Sequence, residues 1–338
     1  MKYDIRLCKL NEKKKIIDFI RKYWKKNHIL AKNEKLLNWQ YKGKNCYNFV
    51  VANHINLNEF HAILGLISPS FFIKEKILNH DHIWLSIWKV ENSLIEEKSL
   101  GIKLLDFVNK YYKPNSISAI GINSDVTKVY KFIGFKTGVL KHYYIKNSNL
   151  KIFKIAKFSK RTILQENDLV ECFYKIKKIN YKNLNKLKKQ INKISKLKNY
   201  IYLVNRYLNH PIYKYCFLTL YQGKKLISLI IARTINQNMS KCLRIVDVIN
   251  LQSITLSIKT AFEKYLALNE LEYVDFLHYG TSENEIKNLG FCEKERDSII
   301  PTLFEPFLFE NKNIAFAYLS KNDFYIFKGD SDLDRPNR

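Results

Sequence analysis

A chain of 338 residues is long enough to bury two cores, and a 46% hydrophobic share with 14% aromatics suits a globular protein. No apolar run approaches the roughly 18 residues of a membrane span, and MKYDIRLCKL lacks the apolar stretch of a secretory leader, so cytoplasmic residence is expected. The net charge of +27 leaves room for an anionic partner: nucleic acid, a phosphorylated cofactor or an acidic membrane surface. Lysine, isoleucine and asparagine are abundant together, however, which reads as compositional drift, and nucleic acid is not the expected partner. Six cysteines (Cys8, Cys46, Cys172, Cys216, Cys242, Cys292) form no C-x-x-C pair, so buried free thiols are expected in place of a metal site.

In chain order, residues 4–10 read as a first strand, and Asn11 is a candidate cap for a helix over 16–23. Residues 28–41 read as helical and end in the aromatic, polar cluster Trp39-Gln40-Tyr41. The apolar runs 47–52 and 62–67 predict a hairpin of a central sheet, and 83–90 a further strand with two tryptophans. Leu100, Leu104, Leu105 and Val108 mark an amphipathic helix that stops at Lys113-Pro114-Asn115. Next comes a short strand, 116–122, followed by Asn123, Ser124 and Asp125 as helix-capping oxygens. The helix carries Val126, Val129, Tyr130 and Ile133 on one side, and Gly134 ends it.

Asn123, Tyr130, Gly134 and Phe135 form the pattern Asn-x6-Tyr-x3-Gly-Phe after a strand. It resembles the second signature of the GCN5-related N-acetyltransferase (GNAT) family. The resemblance implies an α+β fold, acetyl-CoA or another acyl-CoA as co-substrate, and Tyr130 as the acid that meets the thiolate, since a phenol of pKa about 10 can protonate it. It also implies that the strand ending at Val90 opens onto the acyl group, with a water or Glu91 as base. The family places Arg/Gln-x-x-Gly-x-Gly/Ala before the next helix, where backbone N–H groups receive a pyrophosphate. Here the residues are Glu96-Glu97-Lys98-Ser99-Leu100-Gly101. Ser99 replaces the first glycine, while Glu96 is unfavourable beside a pyrophosphate and Lys98 or Lys103 would have to supply charge. The coenzyme contacts implied are Val90, Lys98, Ser99, Leu100, Gly101, Ile102 and Asn123.

The second half repeats the order of the first. Asn205-Arg206-Tyr207 stands where Trp39-Gln40-Tyr41 stood, and the runs 216–220, 226–232 and 243–249 follow as strands. A helix over 253–268, a strand over 273–279 and a closing Gly290-Phe291 complete the copy. No glycine pair precedes its helix, and Glu285 or Ile286 stands near the place of the tyrosine, so this half is not expected to hold its own coenzyme. Two tandem GNAT-like lobes are thus expected, each a mixed, mostly antiparallel sheet flanked by helices, over 1–159 and 160–328. Lysine-rich helices are expected across 175–198. The acceptor, an amino sugar or nucleotide-activated sugar, would lie among His28, Trp39 and Tyr41 of lobe one and Arg206, His210 and Asp247 of lobe two. Asp247 and Asp275 fall in apolar strands, where an acid needs either a structural or a functional partner.

The acidic tail 329–338 has three readings: a frayed end, a D-x-D-x-D cation loop lacking its glycine and glutamate, or a segment folded into the cleft between lobes with Asp332 and Arg335 on substrate. Such tails resemble those of acyltransferases from bacterial surface-polysaccharide clusters. The expected activity is therefore acyl-CoA-dependent N-acyl transfer. The alternatives are transfer from aminoacyl-tRNA, as in enzymes that extend cell-wall precursors, and a non-catalytic glycan- or nucleic-acid-binding module.

Overall fold

The computed structural model describes residues 2–73, 82–94, 97–159 and 174–336. Strand β1 (Tyr3–Lys9) leads into α1 (Lys13–Phe19), a π-helical turn (Ile20–Trp24), α2 (Ile29–Lys32) and α3 (Glu34–Tyr41). The helical stretch expected over 28–41 breaks at Asn33, whose side chain accepts from Leu36 N at 3.0 Å and so starts a new helix. Strands β2 (Cys46–His54) and β3 (Glu59–Ile67) form the expected hairpin, followed by α4 (Pro69–Ile73), β4 (His82–Val90), α5 (Leu100–Tyr112), β5 (Ser116–Ile122), α6 (Ser124–Phe132), β6 (Lys136–Val139) and β7 (Lys141–Lys146).

The second half opens with β8 (Tyr174–Ile179), α7 (Tyr181–Lys186), α8 (Lys188–Ile194), α9 (Tyr200–Leu203) and a second π-helical turn (Val204–Leu208). The lysine-rich start is therefore a strand where a helix was expected. Tyr174 and Ile179 are buried while Lys175, Lys177 and Lys178 face water, and such lysines suit an edge strand. Then come β9 (Cys216–Gln222), β10 (Lys225–Gln237), β11 (Ser240–Ile249), α10 (Lys259–Leu268), β12 (Tyr273–Tyr279), α11 (Glu283–Asn288), β13 (Cys292–Glu293), β14 (Ala315–Ser320) and β15 (Ile326–Phe327).

Two sheets result. The first runs β1-β2-β3-β4-β5-β14-β6 and the second β13-β7-β12-β11-β10-β9-β8, with β15 on β12. The lobes exchange strands: β7 pairs with β12 in the second sheet, and β14 inserts between β5 and β6 in the first. Sheet membership thus crosses the boundary drawn between residues 159 and 160. In each sheet one strand pair is parallel, β4–β5 and β11–β12, and the rest are antiparallel.

Strand alternation sorts side chains of the first sheet onto two faces. Val50, Leu64, Leu85 and Ala119 pack with Leu100, Leu104 and Val108 of α5 and Tyr130 of α6. Phe49, Val51, Ile63 and Ile87 face the other way, into one core shared with α1, α3, α9 and Leu229 and Ile231 of the second sheet. That shared core fixes the lobes against each other.

Candidate functional site

Strands β4 and β5 pair over only four positions, from His82↔Ser116 to Leu85↔Ala119. Just past Leu85 a bulge interrupts the β3–β4 ladder, with Leu66 opposite Leu85 but Leu64 opposite Trp88. β5 turns its other edge to β14, so among the described residues positions 86–90 of β4 have no strand partner on the side of β5. The two strands expected to part therefore do so. Ser86, the first residue beyond the pairing, meets the Tyr41 hydroxyl at 2.8 Å, and the Gln40 side-chain amide donates to the same hydroxyl at 2.8 Å.

Tyr130 lies on the α5 side of this gap. Asn123 caps its helix by accepting from Val126 N at 2.8 Å, and Phe135 N donates to Tyr130 O at 2.9 Å across Gly134, whose φ of +88° suits glycine. The phenol is 1% exposed, packed edge-on to Trp88 at 5.4 Å and against Phe135 at 4.9 Å. Burial pushes its pKa well above the usual phenol range, so it stays protonated and keeps a hydrogen to donate. Trp88, which sequence reasoning passed over, has its indole N–H buried with no acceptor among the described residues. Gly101 permits this packing: a Cβ there would stand 3.2 Å from Val90 Cγ2 and 3.4 Å from Trp88 Nε1.

The pyrophosphate end fits less well. Glu97 accepts from the Ser99 hydroxyl at 3.0 Å and forms an ion pair with Lys103, which puts a carboxylate at the start of α5. Lys103 is thus spent on Glu97, Lys98 and Ile102 are exposed, Leu100 is buried, and Glu96 lies outside the described residues. Glu91 makes a poor base. Its side chain accepts from Ser93 Oγ at 2.7 Å and Ser93 N at 3.2 Å, and these bonds, with Lys89 nearby, hold it below the usual carboxylate range.

The acceptor candidates are brought to one face but mostly into packing. Trp39 bolts the lobes together, since its N–H donates to Asn205 O at 2.8 Å and its ring touches His210, Phe72 and the Arg206 guanidinium. His28 caps α2 through Nδ1, and burial, then Arg335, pushes its pKa down to about 4 against the pull of Asp332. His210 accepts from Ile212 N and Tyr213 N; burial and Arg206 push it down to about 3, leaving a neutral ring whose Nε2 has no partner among the described residues. Asp247 is structural. It accepts from Lys198 Nζ at 2.7 Å and the Tyr207 hydroxyl at 2.8 Å, and burial raises its pKa despite Lys198. Asp275 likewise belongs to an internal network with Arg244 and His142.

The tail is the part the sequence left most open, and it folds back between the lobes. Lys198 Nζ bonds Asp330 at 2.9 Å, Arg206 donates to the carbonyls of Gly329 and Ser331, and Tyr215 donates to Asp334 at 2.7 Å. Arg233 pairs with Asp334 at 3.2 Å. Lobe two repeats the parted strands of lobe one: β11–β12 pairing ends at Ile245↔Phe276, and a bulge follows at once. There, however, the chain fills its own gap. β15 pairs with β12 at His278 and Tyr279, and Gly329 N donates to Val246 O at 2.6 Å. Ile286 holds the position of Tyr130, five residues before Phe291. The tail then continues toward lobe one, where a Cβ on Gly121 would stand 3.4 Å from Leu333 and where Asp332 and Arg335 act on both His28 and Tyr41.

No protein-family model matches the sequence, and a search of curated proteins finds no significant similarity. Solved structures do match. A GCN5-related N-acetyltransferase from Anabaena variabilis aligns with TM-score 0.55 at 10% identity, over 95% of this chain and 73% of its own. One from Kribbella flavida aligns with TM-score 0.53 at 7% identity, over 94% and 71%. The GCN5-related glucosamine N-acetyltransferase region of a fungal multi-domain β-N-acetylglucosaminidase aligns with TM-score 0.51 at 9% identity, over 94% of this chain and 38% of that one. With these likenesses beside two parted, bulged strand pairs, the chain has the fold of the GCN5-related N-acetyltransferases, present as two lobes in tandem that trade strands.

Proposed function

We propose that the chain is an acyl-CoA-dependent N-acyltransferase, with acetyl-CoA as the simplest donor, working in the cytoplasm on an amino sugar of surface-polysaccharide synthesis. The observation that carries this reading is the contrast between lobes: the gap between β11 and β12 is filled by the chain itself, whereas among the described residues positions 86–90 of β4 have no strand partner on the side of β5. A bound acyl-CoA would supply an activated acyl carbonyl and a thiolate leaving group. The free N–H groups of β4 would polarise the carbonyl oxygen, because fixed amides in a dry site stabilise developing negative charge. Tyr130 holds its proton at the hydroxyl for the leaving sulfur, and the unpaired Trp88 N–H is a second donor in the same gap. With Glu91 occupied by Ser93, a water takes the proton of the acceptor amine. Gln40, Tyr41, His28 and the tail would border the acceptor on the opposite face of the sheet. The amino-sugar acceptor is favoured by the glucosamine N-acetyltransferase region among the structural likenesses.

Transfer from aminoacyl-tRNA is the second reading, favoured by the Glu97 carboxylate at the start of α5, which opposes a pyrophosphate. Calorimetric titration with acetyl-CoA separates the two. Micromolar binding weakened by Gly101→Val supports the first reading. Absence of such binding, together with salt-dependent affinity for tRNA, supports the second.

A further inference from the structure

A cavity of about 570 Å³ opens at the end of the first helical segment. Four cations border it, Arg21, Lys22, Lys25 and Lys26, with the aromatic side chains Tyr23 and Trp24 between them. Asp18 is the single acid in the lining, and it pairs with Arg21 at 3.4 Å. The lining therefore carries an excess of three positive charges. The π-helical turn Ile20–Trp24 builds it, closed by Lys25 N donating to Ile20 O at 2.9 Å. This wider turn sinks Ile20 fully into the core and leaves Trp24 at 41% exposure, a large apolar ring in water among cations.

Like charges gathered around one concavity repel each other, and a bound anion relieves that repulsion. The helix that presents them packs on the shared-core face of the first sheet, opposite α5, so this cavity does not belong to the pyrophosphate end of the coenzyme cleft. Its neighbours lead to the gap between strands. Lys25 O accepts from His28 N at 3.0 Å and Arg21 donates to Ala31 O at 3.3 Å, which ties the turn to α2, and Tyr41 at the end of the following helix bonds Ser86, the first residue of β4 beyond its pairing with β5.

We propose that this cavity binds the nucleoside diphosphate part of the acceptor, with Lys22, Lys25 and Lys26 on the phosphates and Trp24 stacked on the base. The inference deepens the acyl-transfer reading and rests on it for what happens to the amine. The volume lies within the range of small-ligand pockets, and this open depression sets one exposed aromatic ring beside three lysines, the pairing of stacking surface and charge that a single nucleotide uses.

The test is calorimetry on the full chain with uridine diphosphate, inorganic pyrophosphate and coenzyme A, on the parent protein, a Lys22→Ala/Lys25→Ala/Lys26→Ala variant and Trp24→Ala. Uridine diphosphate should bind the parent more tightly than pyrophosphate does, and bind the lysine variant about tenfold more weakly. Trp24→Ala should weaken it roughly fivefold while leaving pyrophosphate unchanged. Coenzyme A should bind all three proteins alike and together with uridine diphosphate. Unchanged uridine diphosphate affinity in the lysine variant, or mutual displacement by coenzyme A, would overturn the proposal. So would its failure to bind while phosphatidylglycerol vesicles or tRNA bind the parent and not the lysine variant. Uridine diphosphate binding without any coenzyme A binding would support the cavity and end the acyl-transfer reading, so the two failures are distinct.

Discussion

Trp88 and Tyr130 meet edge to face in the gap between β4 and β5, and the Trp88 indole N–H is buried with no acceptor among the described residues. A buried donor left unpaired costs about 1–3 kcal/mol, a cost that a ligand acceptor in the gap would offset. Tyr130→Phe removes the hydroxyl and keeps the ring. It should leave the melting temperature unchanged or slightly raised while thiol release from acyl-CoA slows about 100-fold or more. Trp88→Phe should likewise fold normally; its expected effect is a weaker Kd for acyl-CoA by calorimetry, with little change in stability. A loss of several kcal/mol of stability in either variant would show that these side chains serve packing alone.

At the scale of elements, the tail decides most. Arg206 is buried, its guanidinium lies over Trp39 and Phe72, and it donates to the carbonyls of Gly329 and Ser331. A chain ending at Lys328 strands that charge, and Asp334 no longer answers Arg233, so stability should fall by about 3 kcal/mol or more in urea titration. Gly329→Val should act in the same direction, because a Cβ there would stand 2.7 Å from Val246 O and 2.8 Å from the Tyr207 hydroxyl. The elements that line the parted strands were legible in the sequence. Apolar runs bounded by turns marked β2 to β4, Asn123 and Gly134 bracketed α6, and the echo in Gly290-Phe291 disclosed the second lobe. Three features were not legible. Lysines on a half-exposed edge strand imitate a solvated helix, a tail of aspartates carries no sign of the cations that await it, and a tryptophan beside a glycine reads as core. Each depends on partners distant in sequence, more than a hundred residues for Arg206 and Ser331, and local pattern does not record these.

Across the whole molecule, buried neutral histidines set the response to acid. Burial holds His28 and His278 at about 4 and His210 at about 3, against about 6.5 in the unfolded chain. Below pH 6.5 the unfolded state takes up protons that the folded state refuses, so stability should fall as pH drops from about 6.5 toward 4. Burial lowers His142 as well, so the slope should reach about 4 kcal/mol per pH unit or more near pH 5, and His278→Gln should lower it by about 1.4 kcal/mol per pH unit. Asp275 acts in a separate window. Burial opposes its charge, but Arg244 and His142 outweigh that and hold it at about 2, so its contribution persists until pH falls through that value. Urea midpoints measured from pH 7 to pH 4 check the first window, and a flat profile would contradict it.

The trade of strands has a consequence for how the molecule comes into being. On the ribosome β5 and β6 emerge early, yet the strand that belongs between them, β14, is made only at residues 315–320. Until then the first sheet has an open seam at β5, and β7 waits for β12. Neither lobe can finish alone, and a fragment of residues 1–159 should remain aggregation-prone with exposed strand edges, where the full chain gives a single cooperative melt. Birth order and architecture are out of step here, and the nascent chain must stay competent to pair for most of its synthesis.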